Sequence, residues 1–159
     1  MGTKDKEIRS RKRIGVIGGS RASATHLELA ERVGRLIAKS GAILVCGGLS
    51  GVMEAACRGA KQAGGMTIGI LPGGNASDAN AFVDIPIATG MGYTRNALVV
   101  MNADALIAVD GSYGTLSEIA YACVHGKRII GLDSWDIKGM EPAATPEEAV
   151  EMALAPRPR

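Results

Sequence analysis

The residues best equipped for chemistry fall in one stretch, Asp110-Gly111-Ser112-Tyr113-Gly114-Thr115-Leu116-Ser117-Glu118. Gly111 and Gly114 let the backbone bend tightly and let a ligand come close. Ser112 and Thr115 bring hydroxyls. A helix that opens at Thr115 presents unpaired N–H groups and a partial positive charge to the turn before it, which suits phosphate. The run before the turn, residues 105–109, is continuously apolar, as a parallel strand covered on both faces should be. Thr115-Leu116-Ser117-Glu118 also has capping-box spacing, in which Glu118 would satisfy a backbone donor at the helix start.

Three other stretches repeat the pattern of strand, glycine turn and polar residue. Gly19-Ser20-Arg21 follows a strand at 14–18, and Gly47-Gly48-Leu49-Ser50-Gly51 follows one at 42–46. Pro72-Gly73-Gly74-Asn75 follows a third at 66–71. Apolar periodicity predicts helices over 25–39, 52–63, 93–102, 115–125 and 146–155. Short strands are expected at 82–87, where Pro86 marks an edge, and at 128–132. Residues 75–81 and 135–144 read as loops. Strands alternating with helices across short turns give an α/β fold, a Rossmann-like, three-layer, doubly wound parallel sheet. Ligands bind such sheets at the C-terminal strand ends, and all the glycine turns fall there. The expected organisation is one ligand-binding domain over 14–155, between a flexible basic tail at 1–13 and a short tail at 156–159.

The bulk properties narrow the function. The chain has 159 residues, 47% hydrophobic but only 3% aromatic, so Ala, Val, Ile, Leu and Met must build the core. Net charge is +2, with much of the positive charge in the two tails, which argues against a nucleic-acid surface. The three cysteines, Cys46, Cys57 and Cys123, form no CxxC pair and read as reduced thiols. His26 and His125 make no metal pattern, and no metal site is expected. No signal peptide and no membrane-length apolar run are evident, so the expected setting is cytoplasmic. A P-loop is absent. The first turn, Gly15-Val16-Ile17-Gly18-Gly19-Ser20, departs from the dinucleotide fingerprint, and the second strand ends in Cys46-Gly47-Gly48 where a ribose-binding acid would stand. NAD and FAD are therefore disfavoured, and an anion-bearing ligand of another kind is expected.

The segment Gly47-Gly48-Leu49-Ser50-Gly51-Val52-Met53-Glu54-Ala55, with Gly59-Ala60 and Gly64-Gly65 after it, resembles the GGG-x-x-G-x-M segment of the Lonely Guy (LOG) family, often labelled lysine decarboxylase-like. Asp110 to Glu118 resembles the PGG-x-G-T-x-x-E motif of the same family. LOG proteins are phosphoribohydrolases, which cut the base from a nucleoside 5′-monophosphate. A related branch contains molybdenum cofactor carrier proteins, which hold a phosphorylated pterin without turning it over. The resemblance spans about residues 14 to 132. Asp110 and Ser112 replace the proline and second glycine of PGG, and Gly90-Met91-Gly92-Tyr93-Thr94-Arg95-Asn96 lacks the M-H-x-R-K form. These departures bring the chain nearer the carrier-containing branch. No residue pattern supports a pyridoxal-phosphate decarboxylase.

Arg95 and Glu118 match the catalytic arginine and glutamate of LOG proteins. The resemblance implies that Glu118 stabilises an oxocarbenium-like sugar or positions water, and that Arg95 binds phosphate or holds the carboxylate. Gly19, Ser20, Arg21, Gly47, Gly48, Ser50, Gly51, Asp110, Gly111, Ser112, Tyr113, Gly114 and Thr115 are the expected ligand contacts. Asp110 beside an anion site is unusual. It could accept a hydrogen bond from a ribose hydroxyl, a pterin N–H or a backbone turn. Two functions remain open: a binding protein for a phosphorylated nucleotide-like ligand, of molybdenum cofactor carrier type, or a LOG-type phosphoribohydrolase. A nucleotide sensor would use the same pocket. The apolar stretch Ala97-Leu98-Val99-Val100-Met101 offers a face for a homo-oligomer, dimer or tetramer.

Overall fold

The computed structural model describes residues 3–156. Helix α1 (Thr3–Ser10) precedes strand β1 (Arg13–Gly18), so the segment expected to be a flexible tail carries a helix. Then come α2 (Ala24–Lys39), β2 (Ile43–Cys46), α3 (Val52–Gln62), β3 (Thr67–Leu71) and β4 (Ile85–Ala88). The second half holds α4 (Asn96–Met101), β5 (Ala105–Val109), α5 (Tyr113–Val124), β6 (Arg128–Leu132), β7 (Glu141–Ala143) and α6 (Pro146–Leu154). Residues 1, 2 and 157–159, parts of the two expected tails, lie outside the described residues.

The strands form one seven-stranded sheet in the order β4-β3-β2-β1-β5-β6-β7, and every pair is parallel. The chain winds outward from β1 to β4, returns to the other side of β1, and winds outward again. The order therefore reverses between β1 and β5, where a doubly wound sheet opens its ligand crevice. Gly18 pairs with Val109, so the turns that leave β1 and β5 start side by side.

Alternation along the strands divides the core in two. Ile14 and Val16 of β1, Ala105, Ile107 and Val109 of β5, and Ile130 and Leu132 of β6 face the layer of α2, α3 and α6. Ile17, Leu106, Ala108 and Ile129 face α4 and α5 through Val99, Val100, Ile119 and Ala122. With few aromatics to fill space, close backbone approach must do it. A Cβ on Gly59 of α3 would stand 1.8 Å from the Glu31 carbonyl oxygen of α2. A Cβ on Gly34 of α2 would stand 1.9 Å from the Ala56 carbonyl oxygen of α3. Each helix thus lies on the other's glycine. Gly59→Ala, despite better helix propensity, is expected to destabilise the protein by roughly 1–3 kcal/mol, as overpacking does, and denaturant unfolding measures it.

Three local expectations are corrected. The helix expected over 93–102 is a 3-10 turn at Gly92–Arg95 followed by α4. The tight turn lets Arg95 reach the ends of β2 and β3. The loop expected at 135–144 contains β7, whose Pro142 sits in an edge strand, as its missing N–H requires. The first turn of α5 is capped by Ser112 and Thr115, with the Ser112 N–H donating to the Thr115 hydroxyl at 3.3 Å. The capping-box reading of Glu118 therefore fails, because Glu118 lies a full turn and a half inside the helix.

Candidate functional site

The turns of the strand-end edge lock together before any ligand is considered. The Val52 N–H donates to the Gly19 carbonyl at 3.0 Å, and the Ser50 hydroxyl donates to the Ser20 carbonyl at 3.1 Å. Gly51 holds φ at +69°, and a Cβ there would meet the Gly19 oxygen at 2.3 Å. The turns after β1 and β2 can touch only because that position has no side chain.

Between these turns and the start of α5 lies a cavity of about 470 Å³. Its walls include Ser20, Arg95, Ser112, Tyr113, Gly114, Thr115 and Glu118 from the expected set. Gly18, Leu49, Met53, Tyr93, Asn96 and Ser117 also line it and were not singled out by sequence. Asn96 and Ser117 stood inside the quoted motifs, so their polarity was the available signal. Leu49 and Met53 carry none, being ordinary apolar residues of a turn and a helix. Gly19, Arg21, Gly47, Gly48, Ser50, Gly51, Asp110 and Gly111 are not among the lining residues. Gly19, Gly47, Gly48, Ser50 and Gly51 shape or brace the turns, and Arg21 is exposed.

Arg95 is the polar anchor. Its side chain is buried, and it spans three elements. Nε donates to the Ile70 carbonyl of β3 at 2.7 Å, and Nη2 to the Gly47 carbonyl beyond β2 at 3.2 Å. Nη1 donates to the Asn96 side-chain oxygen. Asn96 Nδ2 passes the link on to the Ser117 hydroxyl at 2.9 Å. A planar fork with five donors can do this; a lysine ammonium cannot. Two guanidinium N–H bonds are left for other acceptors.

Glu118 is buried beside this fork, 7% exposed. Burial pushes its carboxyl up to about 8, Cys46 adds to the rise, and the Arg95 charge opposes it. Burial likewise pulls the Arg95 guanidinium below its ordinary value, against the pull of Glu118. The cavity thus ends in a carboxyl that keeps its proton near neutral pH and a guanidinium that stays charged.

The neighbouring ends of β5 and β6 hold strained backbone. Asp110 and Asp133, at the ends of β5 and β6, are the two non-glycine residues with positive φ among those described, at 54° and 52°. Both reach His26 in the first turn of α2. Asp133 Oδ2 lies 2.7 Å from Nε2, and Asp110 Oδ2 lies 3.8 Å from Nδ1. The Ser134 hydroxyl also donates to the Asp110 carbonyl at 2.5 Å. Asp110 therefore faces an imidazole. Tyr113 stands on the cavity wall with its ring 6.3 Å from that of Trp135.

The parallel α/β sheet has its cavity at the reversal of strand order, walled by a helix N-terminus, hydroxyls and a buried arginine, groups whose chemistry suits a small anion. Comparison with known proteins gives the family: the SLOG cluster4 family model matches residues 11–157, and the chain belongs to that family. It lies in the LOG-like superfamily, near the molybdenum cofactor carrier branch. An Archaeoglobus fulgidus protein is 49% identical, covering 89% of this chain and 94% of that protein. The cytokinin riboside 5′-monophosphate phosphoribohydrolase of Mycobacterium tuberculosis is 35% identical, covering 72% of this chain and 67% of the relative. Among solved structures, the molybdenum cofactor binding protein of Rippkaea orientalis superposes with a TM-score of 0.85 at 39% identity, covering 89% of this chain and 94% of that one. The molybdenum cofactor carrier protein of Chlamydomonas reinhardtii gives 0.82 at 35% identity, covering 89% and 95%.

Proposed function

We propose that this protein binds a phosphorylated nucleotide-like ligand and holds it unchanged, with the molybdenum cofactor as its cargo. The observation that carries this reading is near full-length likeness to proteins described as binding or carrying that cofactor. The cavity fits the cargo's chemistry. N–H groups of the first turn of α5 lack intrahelical partners, and with the Ser20, Ser112 and Thr115 hydroxyls they suit a phosphate. Tyr93, Tyr113, Leu49 and Met53 offer apolar surface to a flat ring. Asp110 and Ser112, which replace the proline and second glycine of the LOG motif, favour the carrier over plain nucleotide hydrolysis. Its three free cysteines suit a reducing compartment, in keeping with the cytoplasm; among the described residues no helix is long and apolar enough to cross a membrane.

A second reading rests on one observation: Glu118 is a buried carboxyl beside Arg95 that holds its proton near neutral pH, as a general acid for a departing base would, rather than as the carboxylate that oxocarbenium stabilisation needs. Incubation with a panel of nucleoside 5′-monophosphates, followed by chromatography, separates the two. No base release from folded protein is expected. Saturable release that disappears in Glu118→Gln would establish the hydrolase and overturn the carrier.

The protein is also proposed to be a homo-oligomer, dimer or tetramer. Its two faces are covered unequally. Ile85 and Ile87 of β4 pair with Ile68 and Ile70, which belong to the core beneath α4 and α5. Together with Met91, Tyr93, Met101, Tyr113 and Val124 they are exposed, and all belong to elements of that face. A second copy would cover this surface. Sedimentation is expected to show an oligomer, and Val124→Glu, at a position 80% exposed in one chain, to yield folded monomer.

A further inference from the structure

Behind the second glycine turn sit two thiols that the binding reading does not use. Cys46 is the last residue of β2, and Cys57 lies on the second turn of α3. Both are fully buried, and their sulfurs are 3.5 Å apart. Cys46 Sγ also accepts the Gly48 N–H at 3.3 Å. The next carbonyl along the chain, that of Gly47, is the one that holds Arg95 Nη2. The sulfur pair and the guanidinium anchor thus share two consecutive residues of one turn.

We propose that Cys46 and Cys57 form a reversible disulfide at the expense of a peroxide, and that this bond turns down the ligand site by moving the Gly47–Gly48 turn. The proposal rests on the cavity being the binding site, as read above. The roles of the two sulfurs follow from their partners. Cys46 accepts the Gly48 N–H and shares one further hydrogen bond with Cys57. That hydrogen bond lowers Cys46, while it and burial raise Cys57. Cys46 is therefore the attacking thiolate. It attacks hydrogen peroxide, the O–O bond breaks to leave a sulfenic acid, and the departing hydroxide takes the proton that Cys46 released to become water. The Cys57 sulfur then attacks the Cys46 sulfur, the S–O bond breaks, and the leaving hydroxide takes the Cys57 proton as a second water. Two thiols and one peroxide give one disulfide and two waters.

A disulfide needs its sulfurs about 2.05 Å apart, so they must close by roughly 1.5 Å. Motion of that size at the end of β2 pulls on the Gly48 N–H and the Gly47 carbonyl together. Gly48 holds φ at +77° and is packed against Gly69 and Leu71, so the turn has little room to absorb it. Losing one hydrogen bond to a charged group corresponds to on the order of 10-fold in affinity. Because both thiols are sealed, oxidation requires the turn to open, and a ligand that holds the turn closed slows it.

The test uses the Cys123→Ser protein, which removes the exposed thiol. Hydrogen peroxide is added, remaining thiols are alkylated, and peptides are mapped by mass. The expected product is a Cys46–Cys57 linked peptide that reductant reverses. The state of the anchor is read without ligand, by NMR hydrogen exchange of the Arg95 guanidinium N–H groups, and with AMP as a probe of the cavity. On oxidation the Arg95 N–H held by the Gly47 carbonyl is expected to exchange about 10-fold faster, and AMP affinity to fall about 10-fold. Oxidation that stops at single-residue products, with no linked peptide, overturns the proposal. A linked peptide with unchanged Arg95 exchange overturns the control of the site. Failure of AMP to bind even the reduced protein counts against the binding reading, while the Arg95 exchange still decides this one.

Discussion

At pH 9 the Glu118→Gln protein is more stable than the unsubstituted protein by on the order of 5 kcal/mol, and it loses the alkaline decline in stability. The reason is linkage. Glu118 has an ordinary value of 4.5 in the unfolded chain and is pushed up to about 8 in the fold. Between those limits the folded state holds a proton that the unfolded state has released. Stability therefore falls with rising pH by about 1.4 kcal/mol per pH unit in that window. It is fully present below about pH 4.5 and fully lost above about pH 8. Glutamine keeps the shape and cannot ionise, so its profile is flat there. The opposite slope is expected on the acid side. Lys61 and backbone and side-chain hydrogen bonds from Thr67 lower Asp84, and Arg58 lowers Glu31. Their contribution is present above the unfolded carboxylate range and is lost as pH falls. Thermal unfolding across pH 4 to 9 reads both limbs. In a protein of this size a loss of about 5 kcal/mol corresponds to roughly 15 °C.

Arg95→Met abolishes ligand retention and leaves a folded but weakened protein. The thioether fills the apolar stem of the site but donates nothing. The Gly47 and Ile70 carbonyls and the Asn96 side-chain oxygen lose their donors together. Hydrogen bonds to a charged group contribute about 1.5–3 kcal/mol each, so a ligand that took even one of the free guanidinium N–H bonds would lose about 10- to 100-fold in affinity. The same variant removes the Arg95 charge that lowers the Glu118 carboxyl, so that carboxyl titrates still higher. Arg95→Lys is not expected to rescue, because an ammonium cannot span the ends of β2 and β3 and Asn96 at once. Equilibrium dialysis with the cofactor and NMR titration of Glu118 measure the two effects separately.

What could be read in the chain followed from what is local. Apolar runs such as 105–109, with glycines just beyond them, marked strands buried on both faces, and the alternation of elements carried the parallel sheet. Pro86 marked β4 as an edge. The departures have long-range causes. β7 is three residues long and exists because β6 offers an unpaired edge, so no period in 135–144 could reveal it. The break between the 3-10 turn and α4 follows from Arg95, whose partners lie 25 and 48 positions away in the chain. Glu118 had two equal readings in sequence, cap or site, and the position of the Ser112 cap removes one. The meeting of Asp110, Asp133 and His26 joins three strand-end turns and had no sequence signature.

The most direct test of the binding claim is to incubate the purified protein with the molybdenum cofactor, remove free ligand by gel filtration, and assay molybdenum and pterin in the protein peak. Saturable retention near one cofactor per chain is expected, lost in Arg95→Met, with the cofactor recovered chemically unchanged. A protein peak free of molybdenum and pterin, from a preparation that releases base from a nucleoside 5′-monophosphate, would contradict it.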